Sequence, residues 1–138
     1  MNEKVKTEIV KTADIEQVKY LFKHAGWWSE DDSIDPDLIS KIIQGSFCFV
    51  VASINDKVIG MGRAISDGVC DAYIQDLVVL DEFRGRGIGV LITDELIKYL
   101  KSNNINWISL ISEPKAVSFY QRYGFSQMAD YMPFTLKE

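Results

Sequence analysis

The stretch LDEFRGRGIG, residues 80–89, decides the fold of this chain, because from Arg84 to Gly89 it packs three glycines and two arginines into six positions. In front of it DAYIQDLVVL, residues 71–80, reads as a buried strand. Behind it Ile88, Ile92, Leu96 and Leu100 recur at every fourth position, widened by Leu91 and Ile97, which is the stripe of a well-buried helix. Strand, glycine turn and helix in that order suit an anion. The first N–H groups of a helix have no acceptor inside it, the macrodipole adds partial positive charge, and glycine keeps Cβ atoms out of the way. Two widespread phosphate loops do not fit. Gly89 is followed by Val90 where a Walker A loop needs lysine, and a dinucleotide fingerprint begun at Gly85 or Gly87 would need its third glycine at Val90 or Ile92. From these residues alone the turn either holds phosphate or reverses the chain between two solvated arginines.

Working outward, Val5 to Val10 reads as a first strand, and Ala13 to Ala25 as a helix with Thr12 as its N-cap and Gly26 as its stop. A short helix from Pro36 to Gln44 follows, with Asp35 as cap. FCFVVASI (47–54) and KVIGMGRAIS (57–66) read as a hairpin turned at Asn55 and Asp56. After the long helix, WISLIS (107–112) reads as a strand parallel to residues 71–80, PKAVSFYQRYG (114–124) as a short helix, and FSQMAD with YMPFTLKE (125–138) as a closing pair of strands. The whole is a mixed α/β sheet covered by helices.

The chain has 138 residues, 47% of them hydrophobic and 25% charged, which fits one domain spanning 1–138 with a real core. A net charge of -5 gives no basic footprint for nucleic acid. No apolar run approaches the roughly 20 residues of a membrane span, and MNEKVKTEIV lacks a signal-peptide apolar region, so a cytoplasmic protein without membrane partners is expected. Two cysteines without CxxC spacing and a single histidine, His24, speak against zinc, and no metal is expected. Cys48 and Cys70 read as small apolar residues, and His24 as a favourable group at a helix C-terminus.

With Arg84, Gly87 and Gly89 in an R/QxxGxG/A pattern, the turn resembles the acetyl-CoA pyrophosphate loop of the GNAT superfamily of N-acetyltransferases. Downstream, SFYQRYGF, residues 118–125, resembles that family's second signature. RAISDG (63–68) and IQDLVV (74–79) are most similar to small bacterial members and to plant chloroplast arylalkylamine, or serotonin-type, enzymes. The resemblance implies a mostly antiparallel sheet of six to seven strands flanked by about four helices, with acetyl-CoA as co-substrate.

It also implies roles. Backbone N–H groups of Arg84, Gly85, Arg86, Gly87, Ile88 and Gly89 receive the pyrophosphate, and both arginines add charge. Main-chain groups of Leu77, Val78 and Val79 receive the pantetheine arm where the neighbouring parallel strand splays away, and one of their N–H groups can hold the thioester oxygen. Tyr120 stands at the general-acid position. Asp76 is the nearest carboxylate for a base or an amine-orienting group, provided a β-bulge turns it into the cleft; a structural hydrogen-bonding role is the alternative. Glu113 replaces an asparagine that many members use to contact coenzyme A.

The segment with Trp27, Trp28, Glu30, Asp31 and Asp32 stands where the family builds an acceptor wall, and aromatic plus acidic groups suit a cationic amine. Arg63 is a candidate for an acceptor carboxylate or carbonyl. A small primary amine is the favoured acceptor, with a protein or peptide acceptor, or a non-catalytic acyl-CoA-binding module, as alternatives. Many relatives form homodimers.

Overall fold

The structure, a computed structural model of the chain, describes residues 4–28 and 35–137. Its elements run β1 (Lys6–Ile9), α1 (Ile15–His24), α2 (Pro36–Gly45), β2 (Cys48–Ile54), β3 (Lys57–Ser66), β4 (Asp71–Val79), α3 (Ile88–Ser102), β5 (Trp107–Leu110) and α4 (Val117–Tyr123). Five strands form one sheet in the order β1-β2-β3-β4-β5. Every pairing is antiparallel except β4 with β5, the pair that α3 connects.

Local chemistry explains most boundaries. Asn55 and Asp56 both take positive φ, at 50° and 66°, which is the tight turn that joins β2 to β3. Asp35 accepts from the Asp37 N–H and Pro36 opens α2. The cap of α1 is Asp14, which accepts from the Gln17 N–H, rather than Thr12: the helix begins two residues later than its periodicity suggests. His24 ends α1, and its Nε2 accepts from the Asp81 N–H at 3.2 Å, tying this helix end to the glycine turn.

The core is built by β2 and β3 with α1, α2 and α3, and Leu21, Ile39, Ile59, Met61, Ile92, Leu96 and Leu100 are fully enclosed. Helix α3 lies close on β3 because β3 offers glycine there: a Cβ at Gly62 would meet Ile92 Cγ2 at 2.9 Å and Leu96 Cδ1 at 3.2 Å. Among the described residues no helix is long and apolar enough to cross a membrane, and no cluster of three or more His, Cys, Asp or Glu side chains is placed to hold a metal.

The sheet is smaller than the six to seven strands expected. Residues 125–130 and 131–137 form no strands; among the described residues, no backbone group from Ser126 to Lys137 has a hydrogen-bond partner. A strand exists only against a neighbour, and none lies beside these residues. Pro133, in the middle of the second segment, also lacks the N–H that a central strand needs. At its other end the sheet stops at β5, which pairs with β4 alone.

Candidate active site

The site grows from an irregularity in β4. Met61 faces Val78 and Arg63 faces Gln75, so Asp76 and Leu77 together stand opposite the single residue Gly62: a β-bulge. Asp76 takes the left-handed conformation, φ 57°, which aspartate tolerates better than most side chains. The bulged segment, Asp76 included, lines a cleft of about 1240 Å³. There Asp76 Oδ2 accepts from Arg63 Nε at 2.6 Å.

The same strand opens the cleft on its other edge. β4 and β5 pair from Asp71 with Trp107 to Ile74 with Leu110, and no further. Beyond Ile74 the edge of β4 that faced β5 has no strand against it, and Gln75, Asp76, Leu77, Val78 and Val79 line the cleft, with Ile111 and Ser112 across from them.

That edge leads into the glycine turn. Gly85 and Gly87 take φ 79° and 78°, conformations that favour glycine, and a Cβ at either would meet nothing within 4 Å, so the space above the turn is open. The first bond of α3 runs from the Leu91 N–H to the Gly87 carbonyl. Among the described residues the six successive N–H groups from Gly85 to Val90 therefore have no acceptor, at the positive end of a 15-residue helix. Gly89 does something different: a Cβ there would press on the Phe119 ring at 3.2 Å, so this glycine seats α4 against α3.

Side chains add charge around this cradle. Arg84, Lys115 and Arg122 line the cleft, a cationic group on a chain that is negative overall. Arg84 Nη2 lies 3.1 Å from Asp81 Oδ1 with both groups exposed, so the arginine is free to exchange that partner for a phosphate. The Arg86 side chain does not line the cleft; its guanidinium sits 5.2 Å from the centre of the Phe83 ring.

Tyr120, on α4, closes the cleft from the far side, held edge-on between Phe119 and Phe125 with ring centres 5.2 Å and 5.8 Å away. Burial pushes its phenol above the ordinary value, and the charge of Glu113 adds to the push. Glu113 accepts at 2.8 Å from the Trp27 indole Nε1, a bond between residues 86 apart that straps the end of α1 to the segment before α4. This bond, with help from Lys115, holds the Glu113 carboxyl below its usual range against the opposing effect of burial.

Of the residues singled out from the sequence, the cleft brings together Trp27, Asp76, Leu77, Val78, Val79, Arg84, Gly85, Gly87, Ile88, Gly89 and Tyr120. It leaves out two acceptor candidates. Trp28 stacks on Phe22 at 4.2 Å and 9° and belongs to the packing of α1. Arg63 stands behind the cleft with three partners, Asp76, Gln75 at 3.2 Å and the Ser46 hydroxyl at 3.4 Å, which leaves its guanidinium a structural task. Glu30, Asp31 and Asp32 lie outside the described residues. Sequence reading missed Ser118 and Arg122, whose i, i+4 spacing on α4 puts both on the cleft face, and Asp94, which accepts from the Tyr123 hydroxyl at 2.6 Å and locks α4 to α3.

Comparison with known proteins agrees with this geometry. A family model for the acetyltransferase (GNAT) domain matches residues 22–132. An uncharacterized ycf52 N-acetyltransferase of Pyropia yezoensis is 40% identical over 76 residues, 55% of this chain and 44% of that protein. A chloroplastic protein of Oryza sativa named serotonin N-acetyltransferase 2 is 33% identical over 74 residues, 54% of this chain and 37% of that protein. These matches thus span less than half the length of those relatives. A solved structure of a protein of unknown function from meticillin-resistant Staphylococcus aureus, described as a probable acetyltransferase, superposes with a TM-score of 0.81 at 27% identity, covering 98% of this chain and 100% of that one. The bulged strand, the parted neighbour, the glycine turn and the matched domain all give one assignment: the chain belongs to the GNAT acetyltransferase family of acyl-transferring enzymes.

Proposed function

We propose that residues 1–138 form one acetyl-CoA-dependent N-acetyltransferase domain that acts on a small primary amine by direct attack within a ternary complex. One observation carries the reading: the free edge of β4 runs straight into six unpartnered N–H groups, with the Tyr120 side chain facing the same cleft. An elongated donor with an anionic end and an extended amide-bearing arm fits that sequence of surfaces. The turn amides and Arg84 take the phosphates, and the main chain of Leu77, Val78 and Val79 pairs with the arm as an added strand would.

Acetyl-CoA supplies an activated thioester; the rest falls to the chain. An N–H on the bulged segment of β4 faces charge that develops on the carbonyl oxygen. Oδ1 of Asp76 has no partner among the described residues and is the oxygen left to orient an ammonium and draw off its proton, while Arg63 fixes the carboxylate from behind. Tyr120 donates to the departing sulfur. A reference tyrosine titrates at about 10 and a reference thiol at about 8.5, so full transfer to a free thiolate is uphill. Its role is therefore a hydrogen bond that strengthens as the carbon–sulfur bond breaks, with the proton passing over late.

The Trp27–Glu113 hydrogen bond sets an indole and a carboxylate side by side among the cleft residues, a pairing that suits a small cationic amine. A protein acceptor is the second reading, because a soybean relative 36% identical over 69 residues carries the name histone acetyltransferase. Thiol release from acetyl-CoA, measured against a panel of alkyl and arylalkyl amines, amino acids and lysine peptides, separates the two. Turnover on amines supports the first, and turnover confined to peptides establishes the second.

A further inference from the structure

Arg63 lies opposite Gln75 in the register of β3 with β4, and Asp76 follows at the bulge. The guanidinium joins both side chains along one edge: Nε donates to Asp76 Oδ2 at 2.6 Å and Nη2 donates to Gln75 Oε1 at 3.2 Å. An arginine only donates. The oxygen of the Gln75 amide must therefore face it, and the amide nitrogen must point elsewhere. That nitrogen carries two N–H groups and has no acceptor among the described residues. It is not sealed in, because no buried side-chain nitrogen or oxygen among the described residues lacks a partner. Gln75 and Asp76 both line the cleft. One buried cation thus holds, side by side, a carboxylate that accepts and an amide that donates.

We propose that Gln75 determines specificity: its amide nitrogen donates to an oxygen of the acceptor, so the enzyme selects amines with an ether, hydroxyl or carbonyl oxygen two or three carbons from the nitrogen over plain alkylamines. The inference rests on the small-amine reading of the cleft. Asp76 takes the ammonium and Gln75 reads the oxygen. A hydrocarbon laid against the Gln75 N–H groups strips them of water and returns no acceptor, which penalises the wrong substrate more than the hydrogen bond rewards the right one. A neutral oxygen fits better than a carboxylate, which would stand close to the charge of Asp76. Arg63 keeps both groups in place from behind, so neither turns freely to suit another ligand.

Two isosteric pairs test it on the full chain at saturating acetyl-CoA: 2-methoxyethylamine against butylamine, and 3-methoxypropylamine against pentylamine. The ether oxygen accepts a hydrogen bond and donates none. It also makes the amine less basic towards every enzyme, so the readout is the change in kcat/KM preference between the unaltered protein and Gln75→Glu or Gln75→Met. Both variants lack the N–H groups, and the glutamate still gives Arg63 an oxygen. The preference for the ether should fall roughly two- to tenfold in both variants in at least one pair, with acetyl-CoA affinity in calorimetry unchanged. The same preference in all three proteins overturns the role of Gln75 and leaves amine acetylation standing. A loss of preference that comes with an equal loss of donor affinity overturns it too. No turnover of any amine by protein that binds the donor overturns the small-amine reading, and the inference with it.

Discussion

At the scale of single residues the site turns on groups that have two tasks. Asp76 holds the bulge and countercharges Arg63 across 2.6 Å, and in the proposed reaction its other oxygen takes the amine. Asp76→Asn keeps the shape and the tolerance for a left-handed backbone but leaves Arg63 without a full countercharge. Unfolding in urea should show a loss of about 1–3 kcal/mol. The same variant should lower kcat and raise KM for the amine while donor binding stays unchanged; kcat and KM both unaltered would reduce Asp76 to its structural task. Tyr120 is simpler. Tyr120→Phe removes the hydroxyl from an aromatic cluster that otherwise stays packed, so the donor should still bind and kcat should fall roughly 100- to 10,000-fold, the range expected for a general acid. Full turnover with bound donor would remove Tyr120 from the mechanism.

At the scale of elements, two close contacts set where the helices stand. Helix α3 needs Gly62 beneath it, and Gly62→Ala should cost about 1–3 kcal/mol in a denaturant melt, because the Cγ2 methyl of Ile92 cannot swing aside as a chain end would. Helix α4 is held by the Tyr123–Asp94 bond. Burial, then that hydrogen bond and the charge of Asp94, push the Tyr123 phenol from its ordinary 10.0 up to about 12. A folded-state value above the unfolded one gives stability that is intact below pH 10 and is lost as pH rises toward about 12. Tyr123→Phe should flatten that alkaline decline in a pH series of thermal melts; an unchanged slope would locate the titration elsewhere. What the sequence disclosed follows from locality. The glycine turn, the stripe of α3, the Asn55–Asp56 hairpin and the cap at Asp35 are written in neighbouring residues. The register between β3 and β4 is not, and the bulge that aims Asp76, the guanidinium claimed by Asp76, Gln75 and Ser46, and the Trp27–Glu113 strap exist only once distant segments meet. Trp28 reads as an acceptor group from its place in the resembled wall and Arg63 from its charge and strand, but folding stacks Trp28 on Phe22 and surrounds Arg63 with Asp76, Gln75 and Ser46. The closing strands were legible as pattern in residues 125–138, but pattern names a face and not the partner that face requires.

At the scale of the whole molecule, an acidic chain gathers cations and unpartnered amides at one cleft. A net charge of -5 should repel a phosphorylated donor at long range, so local groups must offset it: the unpartnered amides at the start of α3 and the guanidinium of Arg84 stand together at the turn. Every role proposed for the cleft depends on donor binding at this turn, which calorimetry with acetyl-CoA measures. Gly87→Asp is the decisive comparison, since residue 87 is the N-cap of α3, a Cβ there meets no atom, and aspartate is among the side chains least strained by its left-handed backbone at φ 78°. The variant should remain folded while setting a carboxylate where phosphate belongs. One site per chain is expected in the unaltered protein, with affinity lowered by at least tenfold, about 1.4 kcal/mol, in Gly87→Asp. No binding by the unaltered protein, or equal binding by the folded variant, would contradict it.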